Sequence, residues 1–217
     1  ELKESLDNIE KVISELNKNR DKNLSENLSE KINKHLQVSH VFHSNAIEGN
    51  QLSLRETEIV LNNLNENSYK GKYETEAASL SRANDYLYDL IAAKHSLGKK
   101  SLLEIHSLIM EGSEIEGGIF RKNEVQIKGS DHLPPTALQV ESNIDSLFQW
   151  ITRSAHEVRP LVMATILHHW LTWVHPFSDG NGRTTRLFFN FFLLQRGYPH
   201  IIVKSEDRQK YYDALIE

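Results

Sequence analysis

A chain of 217 residues with 39% hydrophobic and 25% charged residues has ordinary globular composition, with length for one good core or two small ones. Its formal net charge of -5 is spread without long like-charge blocks, which argues against a dedicated nucleic-acid binder. It has no cysteine, hence no disulfide, thiolate nucleophile or cysteine-ligated zinc, and no run approaches the roughly 18 apolar residues that span a bilayer.

Apolar residues Leu2, Leu6, Ile9, Val12, Ile13 and Leu16 recur at steps of three and four and predict an amphipathic helix, followed by a polar break over 17–23. A second helix is predicted over 25–47, stopped by Gly49 and Asn50. Helical patterns resume over 53–64, 73–95 and 101–110, the first and last opening on a serine N-cap. Between Gly117 and Pro135 a glycine pair, the alternating Val125 and Ile127, Gly129 and a double proline predict a short β-hairpin. Helices are then expected over 137–154, 160–174, 182–195 and 205–217. The expected fold class is all-α with one small β-hairpin flap.

The richest stretch runs from His175 to Arg186, HPFSDGNGRTTR, between two apolar helices. Gly180 and Gly182 can adopt backbone angles closed to other residues, so successive N–H groups can converge on an anion at a helix N-terminus. Arg183 and Arg186 share one helix face and can chelate phosphate oxygens. Asp179 is a hard oxygen ligand suited to magnesium, and His175 can take a proton from an attacking hydroxyl. Each piece alone is an ordinary loop or helix end; together they describe a nucleotidyl or phosphoryl transfer site.

This stretch resembles the signature of the Fic family, His-x-Phe-x-Asp/Glu-Gly-Asn-Gly-Arg-x-x-Arg, and meets every specified position. GIFRKNEVQIKG followed by HLPP is similar to the family's flap, and DRQKYYDAL to its adenine-side helix, so the resemblance covers about residues 44–217. It implies a Fic-type helical bundle that transfers AMP from ATP to a hydroxyl of a target protein. In that reading His175 is the base and Asp179 holds Mg2+. Gly180, Asn181 and Gly182 bind phosphates, with Arg183 on the β side and Arg186 on the γ-phosphate. Val125, Gln126, Ile127 and Lys128 close over the nucleotide, and Tyr211 and Tyr212 approach the adenosine.

Ser44-Asn45-Ala46-Ile47-Glu48-Gly49-Asn50 is similar to the inhibitory motif of self-restrained Fic proteins. By that resemblance Ser44, Glu48, Gly49 and Asn50 are regulatory, with Glu48 pairing Arg186 in the place of the γ-phosphate. The expected division is an N-terminal helical region over 1–52 and a catalytic core over 53–217. Removal of AMP, another phosphate transfer and a nucleotide-sensing interaction module stay open as alternatives. His168 and His169 lack a metal-binding pattern, and the run 187–194 is core rather than membrane. The expected setting is cytoplasmic, with a protein target, no membrane or nucleic-acid partner, and a homodimer left open. The ends, Glu1 without a methionine and Glu217 without a stop signal, suggest a piece of a longer protein.

Overall fold

The computed structural model describes residues 2–23, 26–64, 71–127 and 130–216. Its helices are α1 (Leu2–Asn23), α2 (Glu26–Ile47), α3 (Leu54–Asn62), α4 (Lys72–Ala92), α5 (Lys99–Ile109), α6 (Val140–Ser154), α7 (Pro160–Val174), α8 (Asn181–Leu194) and α9 (Arg208–Ile216). Short 3-10 turns, Ala137–Gln139 and Ser205–Asp207, lead into α6 and α9. No helix among the described residues is long and apolar enough to cross a membrane.

The apolar run predicted as core makes α8 the central helix. Leu187, Phe188, Phe191, Phe192 and Leu193 are completely buried, and α8 packs against α2, α4, α5 and α7. Around it Leu80 and Leu87 of α4, Leu102 and Ile105 of α5, Ile144 and Leu147 of α6, and Leu167 and Leu171 of α7 close one continuous core. Seating α8 on all sides fixes its N-terminus, where the predicted turn lies. Helix α1 runs on through 17–23, so the expected break is absent: those residues are polar but include neither glycine nor proline, and polarity alone does not end a helix. It is held by Ile13 at the core, by Asn17 Nδ2 donating to Gly197 O at 2.9 Å, and by Arg159 pairing with Asp7 at 2.6 Å. Helix α5 is capped by Gly98 rather than Ser101, whose hydroxyl accepts the Gly98 N–H at 3.0 Å from the third helical position.

The predicted β-hairpin is absent: no strand occurs among the described residues, and Lys128 and Gly129 fall outside them. An isolated two-stranded ladder is marginal in water, and this loop sends its hydrogen bonds elsewhere. The Arg121 N–H bonds Pro176 O at 2.9 Å and the His132 ring bonds Trp173 O at 2.9 Å, so the segment is fastened to the end of α7. The alternation of Val125 and Ile127 reflects half-burial of both without a paired strand.

Beyond α8 the chain returns along the core through reciprocal bonds: Asn190 Nδ2 donates to Ile201 O at 2.9 Å and Asn190 Oδ1 accepts from Ile201 N at 2.7 Å. Asn190→Ala strands both backbone groups in a buried setting. Urea unfolding should show it less stable by about 1–3 kcal/mol with an unchanged m-value; an unaltered midpoint would contradict this role.

Candidate active site

Helix α7 ends at Val174, and His175 caps it in the left-handed region, φ 47° and ψ 62°. The chain crosses to α8 through a turn locked by one amide: Asn181 Oδ1 accepts the Phe177 N–H at 2.9 Å, and Asn181 Nδ2 donates to Phe177 O at 2.8 Å. Phe177 is buried and lies flat on the His106 ring, centroids 3.6 Å apart and 8° between planes. His106 Nδ1 accepts the Gly118 N–H at 2.9 Å, so its proton is on Nε2, which bonds Asp179 O at 3.1 Å. Burial lowers the His106 pKa to about 4, which keeps the ring neutral and that tautomer fixed at neutral pH.

Gly180 stands at φ 73°, and a side chain there would also meet Met110 Sδ at 2.7 Å, so the position demands glycine twice over. The first N–H groups of α8 have no partner within the helix and carry its positive dipole end. Arg183 is buried, with Nη2 3.8 Å from Asp179 Oδ2, while Asp179 Oδ1 accepts the Gly180 N–H at 2.6 Å. Burial lowers the His175 pKa, Arg121 and His132 push the same way, and the Thr172 carbonyl and Glu48 oppose them. The imidazole is therefore neutral near pH 7, as a base has to be.

Glu48 comes to this turn from the end of α2, where the chain bends away at Gly49. Its Oε1 accepts from Arg186 Nη2 at 2.7 Å, and a Cβ on Gly182 would lie only 2.1 Å from that oxygen. The carboxylate thus fills the space that the missing side chain of Gly182 leaves at the N-terminus of α8. Arg186, buried, also donates from Nε to Ser44 Oγ and from Nη2 to Ser44 O, both at 2.9 Å. Asn50 clips the same corner to α4 through Glu76 Oε2 at 2.8 Å and Tyr73 O at 3.1 Å.

The two tyrosines of α9, expected to approach the adenosine, point in different directions. Tyr211 is turned inward, its hydroxyl 3.0 Å from His168 Nε2 and its ring beneath the Arg186 guanidinium at 5.9 Å. Tyr212 points toward the end of α2, with its hydroxyl 3.5 Å from Ile47 O. Of the flap residues, Val125 and Ile127 are half-buried and Gln126 is exposed. His168 is a buried packing residue and His169 an exposed one. His106 and Arg121 were given no role from sequence, because a lone histidine on an apolar helix and an arginine in a loop carry no local mark. Among the described residues no three His, Asp or Glu side chains gather into a metal-binding group. Asp179 is a single, half-exposed carboxylate, which fits magnesium in the mode where substrate phosphates and waters complete the shell.

The fold and this turn define a helical domain in which the Glu48 carboxylate lies at a helix N-terminus, with a neutral histidine at the head of the turn. The Fic/DOC family profile matches residues 96–193, so the chain carries a Fic/DOC domain over that stretch. It is 33% identical to the protein adenylyltransferase Fic of Nematostella vectensis, over 84% of this chain and 43% of that protein. It is 35% identical to the protein of the same name from Aedes aegypti, over 84% of this chain and 37% of that one. Among solved structures, Fic-1 from C. elegans superposes with a TM-score of 0.83 at 26% identity, over 99% of this chain and 65% of that one. The chain spans less than half the length of these two adenylyltransferases.

Four buried histidines set an acid limit, and burial holds His40 well below its ordinary value. His106 and His200 fall to about 4 and His168 to about 3, all chiefly by burial. Their ordinary value is 6.5, so below it the unfolded chain binds protons that the folded chain refuses. Their contribution is complete above pH 6.5 and is lost as pH falls toward 4 and then 3. Each group steepens the loss by up to about 1.4 kcal/mol per pH unit. Urea midpoints measured between pH 7 and 4 should fall, and His200→Asn should flatten the slope.

The space at Gly182 gives a second test. Gly182→Ala should drive the Glu48 carboxylate off Arg186 without unfolding the protein, because the atom struck is the far end of a flexible side chain. A crystal structure of the variant with the 2.7 Å pair intact would contradict this.

Proposed function

We propose that this chain is the catalytic part of an autoinhibited protein adenylyltransferase, moving AMP from ATP to a Ser, Thr or Tyr hydroxyl of a target protein. The observation that carries the reading is His175 held at the head of the turn into α8, whose first turns bring Arg183 to Asp179 and Arg186 to Glu48. The names of the two similar adenylyltransferases support it.

In this reading the α8 N-terminus, with Gly180, Asn181 and Gly182, cradles the triphosphate. Arg183 takes the β-phosphate and Arg186 the γ-phosphate, and Tyr211 and Tyr212 approach the adenosine. The target oxygen forms its bond to the α-phosphorus as His175 Nε2 accepts the hydroxyl proton. The bond from the α-phosphorus to the α,β-bridging oxygen breaks, and pyrophosphate leaves with that electron pair. Asp179 would hold Mg2+, which neutralises charge on the phosphates. Val125, Gln126, Ile127 and Lys128 would lie over the nucleotide.

Autoinhibition rests on the Glu48 to Arg186 pair at 2.7 Å. Carboxylate and γ-phosphate compete for one guanidinium, so ATP that enters beside Glu48 binds in an unproductive geometry. The same placement supports removal of AMP as a second reading, since a partly exposed carboxylate beside the cradle can orient a water.

With α-labelled ATP, magnesium and lysate of the native cell, Glu48→Gly should label a protein at least about ten-fold more than wild type. Adding His175→Ala should lower that signal by about 10²- to 10⁴-fold. Absence of label in Glu48→Gly would reject transfer, and label from γ- but not α-labelled ATP would make the enzyme a kinase. Release of AMP from a modified target by wild type, lost in Glu48→Gly, would establish the second reading.

A further inference from the structure

A helix leaves its last carbonyls without partners of its own, and α7 does so inside the site. Four consecutive carbonyls there are taken by two residues of the flap loop. Arg121 donates from Nε to His175 O at 2.8 Å and from Nη2 to Val174 O at 3.4 Å. Its backbone N–H takes Pro176 O at 2.9 Å, and His132 Nε2 takes Trp173 O at 2.9 Å. The same guanidinium bonds Pro135 O and, through Nη1, Asn123 O at 3.0 Å, with the exposed Glu124 carboxylate 3.6 Å from Nη1. One fully buried side chain therefore ties the two ends of the flap loop to the backbone of the base.

His175 needs such a tether. At φ 47° it occupies a region that residues with a Cβ hold only when their surroundings enforce it. Its N–H is fixed by Leu171 O at 3.0 Å, and its carbonyl by Arg121. We infer that Arg121 is the positioning residue of the base: its fork fixes the His175 peptide, and so the aim of the imidazole, against the N-terminus of α8 and couples both to the flap. The inference rests on the transfer chemistry proposed above. Its partners are backbone carbonyls of four residues, an arrangement that needs the spread donors of a guanidinium and that an ammonium cannot reproduce.

The test uses the Glu48→Gly protein as parent, with Arg121→Lys and Arg121→Gln added. Both should lower kcat about 10- to 100-fold, the cost of a base misplaced by about an ångström. KM for ATP should stay within about threefold, because the phosphate cradle is untouched. The groups that act on the imidazole are Arg121 and His132 from the loop, the Thr172 carbonyl from α7 and, outside this parent, Glu48 from α2. Arg121 holds the imidazole pKa down, so its neutral replacement lets it rise. The acid limb of kcat/KM should move to higher pH in Arg121→Gln and hold in Arg121→Lys. Imidazole NMR should give the same ordering of His175 pKa without any turnover.

Unchanged kcat in both variants, equal losses in kcat and ATP affinity, or one His175 pKa across all three proteins would overturn the inference. If Arg121→Gln shows no cooperative melt, Arg121→Lys decides: a parental kcat overturns it, and a lowered kcat with constant KM upholds it. If the Glu48→Gly parent never labels a protein, the transfer reading fails, and the NMR titration alone decides whether Arg121 governs the His175 ring.

Discussion

Arg186 carries a charge that no accessible pH removes, and the fold buries it at the centre of the molecule. A guanidinium in that setting must be surrounded by acceptors or it destabilises everything around it. Those acceptors come from another helix: the hydroxyl and carbonyl of Ser44 and the carboxylate of Glu48, all at the end of α2. Tyr211 of α9 supplies the face of its ring, and His168 of α7 holds the Tyr211 hydroxyl. Four helices therefore take their relative positions from one side chain. The arrangement also completes α2: Arg186 bonds Ser44 O, Glu48 N and Asn50 N both bond Asn45 O, Gly49 N bonds Ala46 O, and the Tyr212 hydroxyl reaches Ile47 O. The negative end of α2 thus meets a cation and the positive end of α8 meets an anion, so the two helix dipoles are served by one ion pair.

How much of this was legible depended on whether the information was local. The turn could be read because His175, Asp179, the glycines and the arginines fall within twelve residues and the spacing fixes their faces. Helix α8 could be read as core because apolar residues surround it on every side. The flap could not: the alternation of Val125 and Ile127 has the period of a strand, but a strand also needs a neighbour, and the donors of this loop go to the end of α7. Nor could the roles of Tyr211 and Tyr212 be separated, because successive helix residues point about 100° apart and only packing decides which one faces inward.

His106 and Arg121 share that lesson from the opposite side. Neither belongs to the signature, yet one stacks on Phe177 and holds the Asp179 carbonyl while the other holds the carbonyls of Val174 and His175. They lie 69 and 54 residues before His175 in the chain. The signature lies on the turn itself; these distant side chains give that turn a defined shape, the preorganisation that the proposed transfer would need.

The amide clamp of Asn181 has a bearing on the chemical lifetime of the protein. Asn181 precedes Gly182, and in an unfolded chain an Asn-Gly pair deamidates readily, because the glycine N–H meets no side chain as its nitrogen attacks the amide carbon. Here both ends of the Asn181 amide are bonded to the Phe177 backbone, and the peptide that follows is set in the first turn of α8. The nitrogen and the carbon cannot meet while the turn is closed. Folding thus shields this residue from its own chemistry, and each opening of the turn exposes it. Ageing would then leave a carboxylate, and with it a new negative charge, in the middle of the cradle.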